Sequence, residues 1–291
     1  MSDLSVEHVR VPANGIHQHC AVAGSGPLLL MLHGFPESWR SWSAQISALG
    51  PQFKVVAPDL RGFGDSDKPD DGYDPWTLAE DIAGLIDAFW GGKRAHVVGH
   101  NWGGYIAWAL SYLHADRLDR LSIVNSPHPF LFRGKILSVQ LFRSWYVLFF
   151  GLPWLPEWFL RRRGGAGIAS VFRLGTGGGK PITEAYLAYA KAEMLKPGAI
   201  RAGLEYYRTA LRGGKKNILF MDRVTDVPIQ MIWGEADRAL DVLLLDGLDE
   251  YVSYLRVNRL PGIGHWVNHE AGDEVNRLLL DWHVPNEALV A

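Results

Sequence analysis

The chain has 291 residues, 48% of them hydrophobic, and a net charge of −2, which suits one large α/β domain or a core carrying an insertion. That balance offers no basic field for nucleic acid and no like-charged tail. A single cysteine, Cys20, excludes an internal disulfide framework; with no signal-peptide pattern at the start and no apolar run of spanning length, the expectation is a cytoplasmic protein without a membrane partner.

Residues 5–11 and 16–23 read as two β segments about a turn at Asn14-Gly15. Pro27 to Leu32 is a continuous apolar run, as expected of a strand buried on both faces, and it ends in His33-Gly34-Phe35-Pro36-Glu37. Ser38 to Leu49 reads as an amphipathic helix. Phe53 to Ala57 is the next buried strand, followed by the glycine-rich loop Pro58 to Ser66. Leu78 to Phe89 reads as a helix with Thr77 and Glu80 as its capping box. Ala95 to Val98 then leads into Gly99-His100-Asn101-Trp102-Gly103, and a helical run covers Tyr105 to His114. A strand, a sharp turn and a helix are the setting of a nucleophile elbow, whose central residue stands above the sheet at a helix N-terminus. Leu121 to Asn125 is a further strand, closed by Ser126-Pro127-His128-Pro129. Strand alternating with helix implies a parallel sheet.

The rhythm breaks after Pro129. From there to about Asp222 the sequence shows helical runs and loops but no clear strand, with Gly164-Gly165 and Gly175 to Gly179 as punctuation. It resumes with a strand at Val227 to Trp233, a helix at Leu243 to Val252, a strand at Tyr254 to Leu260 and a final helix from about His269 to Trp282. The spacing predicts an eight-stranded, mostly parallel, doubly wound sheet made by residues 1–129 and 223–291, with residues 130–222 as a helical lid. Twelve tryptophans are many, and several cluster at 145–158, which suggests a pocket wall or lid.

Ligands of open parallel sheets bind beyond the C-terminal strand ends. Four such ends carry candidates: His33, Asn101, Asp237 and His265. The last three follow the chain order nucleophile, acid, histidine of a hydrolase built on an elbow. A lone loop histidine has no role more often than not; the ordered set raises the catalytic reading of His265. Asp241 competes with Asp237 but stands where a helix would begin. The backbone N–H groups of Phe35 and Trp102 can form an oxyanion hole, and His33, Pro36 and Trp145 are expected to touch substrate. A zinc motif at His265 and His269 fails because Trp266 stands where glutamate is needed. The run Gly175 to Lys180 fails as a phosphate loop, having Leu174 and Pro181 at the flanks where that motif needs Gly and Ser or Thr. Arg161-Arg162-Arg163 reads as solvated lid surface.

His33-Gly-Phe-Pro-Glu37, Asp59-Leu-Arg-Gly-Phe-Gly-Asp-Ser66, Gly99-His-Asn-Trp-Gly-Gly104, Asn125-Ser-Pro-His-Pro129 and Gly264-His-Trp266 together resemble the epoxide hydrolases of the α/β-hydrolase fold. The resemblance runs over nearly the whole chain. It implies that two lid tyrosines, Tyr146 in Ser144 to Phe150 and Tyr207 in Glu205 to Arg208, donate protons to the epoxide oxygen, with Tyr206 as the alternative to Tyr207. It implies a cis Phe35-Pro36 bond, a small apolar epoxide as substrate, no cofactor or metal, no nucleic-acid partner, and a monomer or homodimer.

The resemblance also implies an aspartate where this chain has Asn101. The chain is therefore read as a nucleophile-impaired, Asp-to-Asn form of such an enzyme. A natural asparagine with altered chemistry, a dehalogenase-like hydrolase on the same fold, and a binding protein without turnover are the alternatives.

Overall fold

The computed structural model describes residues 5–135 and 140–284. Residues 1–4 and 285–291 of the expected core, and 136–139 of the expected lid, lie outside them. Eight strands form one sheet: β1 (Glu7–Ala13), β2 (Ile16–Ala23), β3 (Leu28–Leu32), β4 (Lys54–Pro58), β5 (Ala95–His100), β6 (Leu118–Val124), β7 (Ile229–Gly234) and β8 (Leu255–Leu260). Their order across the sheet is β1-β2-β4-β3-β5-β6-β7-β8. Pairings of β2 with β1 and β4 are antiparallel; all others are parallel. The central strands read as unbroken apolar runs because both faces are covered. Leu28, Leu30 and Leu32 belong to one core cluster and Leu29 and Met31 to the other, as a period of two requires. The first face is covered by α2 (Pro75–Trp90) and α3 (Trp102–Leu113), the second by α1 (Ser43–Leu49) and α11 (Gly272–His283).

Between β6 and β7 every regular element among the described residues is helical: α4 (Pro129–Lys135), α5 (Gln140–Arg143), α6 (Trp145–Gly151), α7 (Leu155–Gly175), α8 (Glu184–Leu195) and α9 (Ala199–Gly213), then two short 3-10 turns. Helix α7 is broken at Arg162–Gly165, where the backbone leaves helical values. The segment sits on the loops at the C-terminal strand ends. Phe150 and Tyr207 pack edge-on against Phe35 after β3, and the Tyr206 hydroxyl donates to the Arg61 carbonyl after β4.

Four expected elements differ. The helix expected from Ser38 to Leu49 is a 3-10 turn, Trp39–Trp42, capped by Ser38, followed by the shorter α1. The α2 cap is Asp74, whose carboxylate accepts from the Thr77 N–H, and Pro75 opens the helix; Thr77 and Glu80 lie inside it. The expected helix from Leu243 to Val252 is two 3-10 turns, Val242–Leu245 and Leu248–Glu250, separated by Gly247 in left-handed backbone at φ 79°. Asp241 caps the first of them. The last helix is divided at Ala271 into α10 (Val267–Glu270) and α11.

Beneath β5 and β6 two buried histidines meet. His96 Nδ1 lies 3.2 Å from His283 Nδ1, and His283 Nε2 lies 2.9 Å from Ser122 Oγ, which donates to Gln230 Oε1 at 2.8 Å. One proton order satisfies the chain: His283 Nε2–H donates to Ser122 and His96 Nδ1–H donates to His283. A further proton on His283 would set its Nδ1–H against that of His96. Burial lowers His96 to about 4 and His128 to about 3, and holds His283 well below its usual range. These rings are neutral when folded, whereas the unfolded chain takes up protons near pH ~6.5. Their contribution is therefore complete above that pH and is lost as pH falls towards ~4. His19 and His265, whose pKa values are raised, gain their contribution as pH falls to ~6.5 and hold it constant below that, so they do not offset this loss. Urea unfolding midpoints should drop by the equivalent of roughly 2–4 kcal/mol between pH ~6.5 and ~4. A flat profile over that window would show that these histidines take up protons without unfolding the chain.

Candidate active site

The elbow is built by glycines. Asn101 has φ 51° and ψ −115°, a strained backbone held between β5 and α3. A methyl group on Gly99 would lie 2.4 Å from the Gly103 carbonyl oxygen, and one on Gly103 would lie 2.2 Å from that of Leu32. Only glycine lets strand and helix approach this closely. Gly34 serves in the same way, since a methyl there would meet Asn101 Cβ at 2.5 Å. The Phe35-Pro36 peptide is cis.

The Asn101 amide is held at both ends. Its Oδ1 accepts from the Phe35 N–H at 3.1 Å, and its Nδ2 lies 3.1 Å from His265 Nε2. With oxygen facing the N–H donor, Nδ2 donates to Nε2. The His265 proton then sits on Nδ1 and is donated to Asp237 Oδ2 at 2.7 Å. Asp237 also accepts from Asn125 Nδ2 at 2.7 Å and from the N–H groups of Ala239 and Leu240. Burial pushes the Asp237 carboxyl up, but His265, Asn125 and those N–H groups outweigh it and hold the pKa below the ordinary value. Burial pushes His265 down, and the charge and hydrogen bond of Asp237 more than offset this, so its pKa is raised. Asp241, the competing acid, salt-bridges Arg143 at 2.9 Å instead.

Above Asn101 lies a cavity of about 460 Å³, walled largely by apolar side chains including Trp102, Val147, Leu211 and Leu240. Tyr146 and Tyr207 both line it, with ring centroids 6.3 Å apart. Burial raises both phenol pKa values well above the ordinary one, so each keeps its proton at neutral pH. Tyr206 spends its hydroxyl on the Arg61 carbonyl and is absent from the wall. Trp102 opens α3 and packs edge-on against Tyr207 at 5.0 Å. Arg133, exposed, is the only charged residue on the wall among the described residues.

Three expected contacts fall elsewhere. His33 is fully buried beneath the site; its Nε2 accepts from the Leu60 N–H at 3.1 Å and its Nδ1 donates to the Gly34 carbonyl at 2.8 Å. Pro36 is buried behind Phe35 and does not reach the cavity wall. Trp145 is 58% exposed, because the neighbours Tyr146 and Val147 take the inner face of α6 and a helix turns by about 100° per residue.

Polar residues that sequence reasoning did not single out support these groups. Glu37 is fully buried; its Oε2 lies 2.7 Å from His100 Nδ1 and accepts from the Gly34 N–H at 2.9 Å. His100 Nε2 in turn donates to the His265 carbonyl at 2.9 Å. Burial works against the Glu37 charge, but His100 and His269 hold its pKa well below the ordinary value. Asn125, at φ 37° after β6, accepts from the Gly234 N–H at 2.7 Å while donating to Asp237. The helical segment is stitched to the loops that carry Asp237 and His265. Gln140 Nε2 donates to the Ala239 carbonyl, and Arg143 Nη1 donates to that of Asp237. The Gly175 carbonyl accepts from the His265 N–H at 2.8 Å, and the Gly178 N–H donates to Gly262. The glycines of that run are needed for close packing, since a methyl on Gly177 would lie 2.4 Å from the Gly264 nitrogen.

A family model described as the alpha/beta hydrolase fold matches residues 27–272, and the chain belongs to that family. Within it, the chain is an epoxide hydrolase-like member. It is 34% identical to epoxide hydrolase 3 of Xenopus tropicalis over 94% of this chain and 77% of that one. It is 37% identical to the AB hydrolase superfamily protein YfhM of Bacillus subtilis over 94% and 96%. Its fold matches the crystal structure of an epoxide hydrolase of Bacillus megaterium with a TM-score of 0.84 at 27% identity, over 94% of this chain and 99% of that one.

Proposed function

We propose that this site is built to open epoxides to vicinal diols through a covalent ester at position 101, and that Asn101 leaves it without its nucleophile. The observation that carries the reading is the pair of protonated phenols, Tyr146 and Tyr207, in one apolar cavity with Asn101. With a carboxylate at position 101, one oxygen attacks an epoxide carbon. The carbon–oxygen bond of the ring breaks, and the leaving alkoxide takes a proton from Tyr146 or Tyr207. His265 then takes a proton from water, and the hydroxide adds to the ester carbonyl. Its oxyanion is stabilised by the N–H groups of Phe35 and Trp102. Collapse of that intermediate breaks the ester carbon–oxygen bond. The expelled alkoxide takes the proton of the new carboxyl group, which releases the diol and restores the carboxylate. The imidazolium, balanced until then by Asp237, returns its proton to the tyrosinate. In this account residues 130–222 are the lid that excludes water, and the reaction uses no cofactor or metal. An amide at position 101 is a poor nucleophile, so the protein as it stands holds an epoxide without opening it.

The cavity wall weighs against the dehalogenase reading. A released halide would want tryptophan or arginine donors at the elbow; among the described wall residues Trp102 is the only tryptophan, and the only arginine, Arg133, is exposed to solvent. Single-turnover ring opening by the Asn101→Asp variant tests the role of the phenols. Adding Tyr146→Phe or Tyr207→Phe should slow alkylation by roughly 10- to 100-fold each, and removing both should slow it further. Unchanged rates in both single variants would remove the phenols from the mechanism.

A further inference from the structure

We infer that the α6–α7 hairpin is a docking surface for an anionic lipid bilayer. Its outer face is apolar and open to solvent. Trp145, Leu148 and Leu152 repeat at helical spacing and are 58%, 62% and 46% exposed; Trp154 and Trp158 are 83% and 60% exposed. Trp154 also has positive φ, 58°, a conformation that bulky side chains avoid, and it stands between the two helices with no side-chain capping bond. Exposed apolar clusters of this kind mark interaction surfaces.

The charges beside the patch select the partner. Arg161, Arg162 and Arg163 are all exposed, and the Arg162 guanidinium lies 5.3 Å from the Trp158 ring centroid. Glu157 is the only acidic residue from Trp145 to Arg163, and Arg208 salt-bridges it at 2.7 Å. Tryptophan and leucine with flanking arginines form the composition that settles at a membrane–water boundary and favours anionic headgroups. A second copy suits the face less well, since an isologous dimer would bring two arginine triplets towards each other. No helix among the described residues is long and apolar enough to cross a membrane, so the contact is adsorption rather than insertion. The expectation of no membrane partner rested on the signal-peptide pattern and on spanning length, neither of which bears on adsorption.

The placement is useful. The inner face of α6 lines the cavity with Tyr146 and Val147, so the bilayer would lie about one helix diameter, ~10 Å, from the apolar cavity. The inference stands without the proposed reaction.

Co-sedimentation with phosphatidylcholine vesicles, with and without phosphatidylglycerol, tests it. The full chain should bind the anionic vesicles at least tenfold more tightly than the neutral ones, with a blue shift of tryptophan emission and weakening by salt. The double variant Trp154→Ser/Trp158→Ser should lose at least tenfold in binding while keeping its circular dichroism spectrum. Arg161→Ser/Arg162→Ser/Arg163→Ser should lose the preference for anionic lipid. Tyr254→Ser, exposed on β8's side of the molecule, should bind as the unaltered chain does. No vesicle binding, or equal binding by the tryptophan variant, overturns the inference. So does a concentration-dependent dimer that the tryptophan substitutions abolish, which would assign the face to a second copy.

Discussion

If the proposed reaction is right, Asn101→Asp is expected to raise epoxide turnover by several orders of magnitude. The substitution keeps the shape of the side chain and replaces an amide nitrogen by an oxygen. The Phe35 N–H, now donating to Oδ1 at 3.1 Å, would hold one carboxylate oxygen. The other would face His265 Nε2, where the amide nitrogen stands 3.1 Å away. Nothing else in the proposed mechanism needs to move. The glycines at 34, 99 and 103 leave no room for a larger group, so the variant tests chemistry rather than packing. Diol formation from a panel of epoxides, assayed beside the unaltered chain, is the measurement. An Asp variant that forms no diol and no covalent ester with any of them would leave a binding site without turnover as the better description. The same geometry predicts slow change in the unaltered protein. Water activated at His265 can attack the Asn101 amide, so the mass of the elbow peptide should drift towards the acid and weak activity should grow with age.

In the Asn101→Asp background, His265→Gln should separate the two halves of the reaction. In the proposed reaction, ring opening uses the carboxylate and the phenols, whereas ester hydrolysis uses His265 as base. Alkylation should therefore proceed, while steady-state turnover falls by roughly 10²- to 10⁴-fold. The elbow peptide should gain the mass of one epoxide and keep it. Hydrolysis in the histidine-containing variant should fail as pH drops through the His265 pKa, which Asp237 raises above the ordinary histidine range, because only the neutral ring accepts a proton. Full turnover without His265, or a pH profile that does not fall on the acid side, would assign the base elsewhere.

The sheet and the elbow could be read from sequence because each leaves a local mark: unbroken apolar runs for strands buried on both faces, and glycines around one polar residue for the turn. The nearness of Asn101, Asp237 and His265 could be anticipated from chain order. What failed was whatever depends on which side of an element faces which neighbour. Trp145 and Tyr146 are adjacent, and no local signal says which of them turns inward. Tyr206 and Tyr207 pose the same problem, and there the family resemblance rather than any local signal favours Tyr207, the one that lines the cavity. The buried chain from Glu37 through His100 to the His265 carbonyl spans contacts 63 and 165 residues apart, and no single stretch contains it. At α2 the signal was present but outweighed: Asp74 followed by Pro75 is a helix start, and the Thr77–Glu80 pair drew the boundary too late.

The stitches between the helical segment and the loops of Asp237 and His265 make the molecule a closed frame. Gln140 and Arg143 tie one end of the segment to the Asp237 loop, and Gly175 ties the middle of it to the His265 loop. Lifting the segment as a whole would break these hydrogen bonds together, so the roof over Asn101 and the two loops beneath it are coupled through contacts to the loops' main chain.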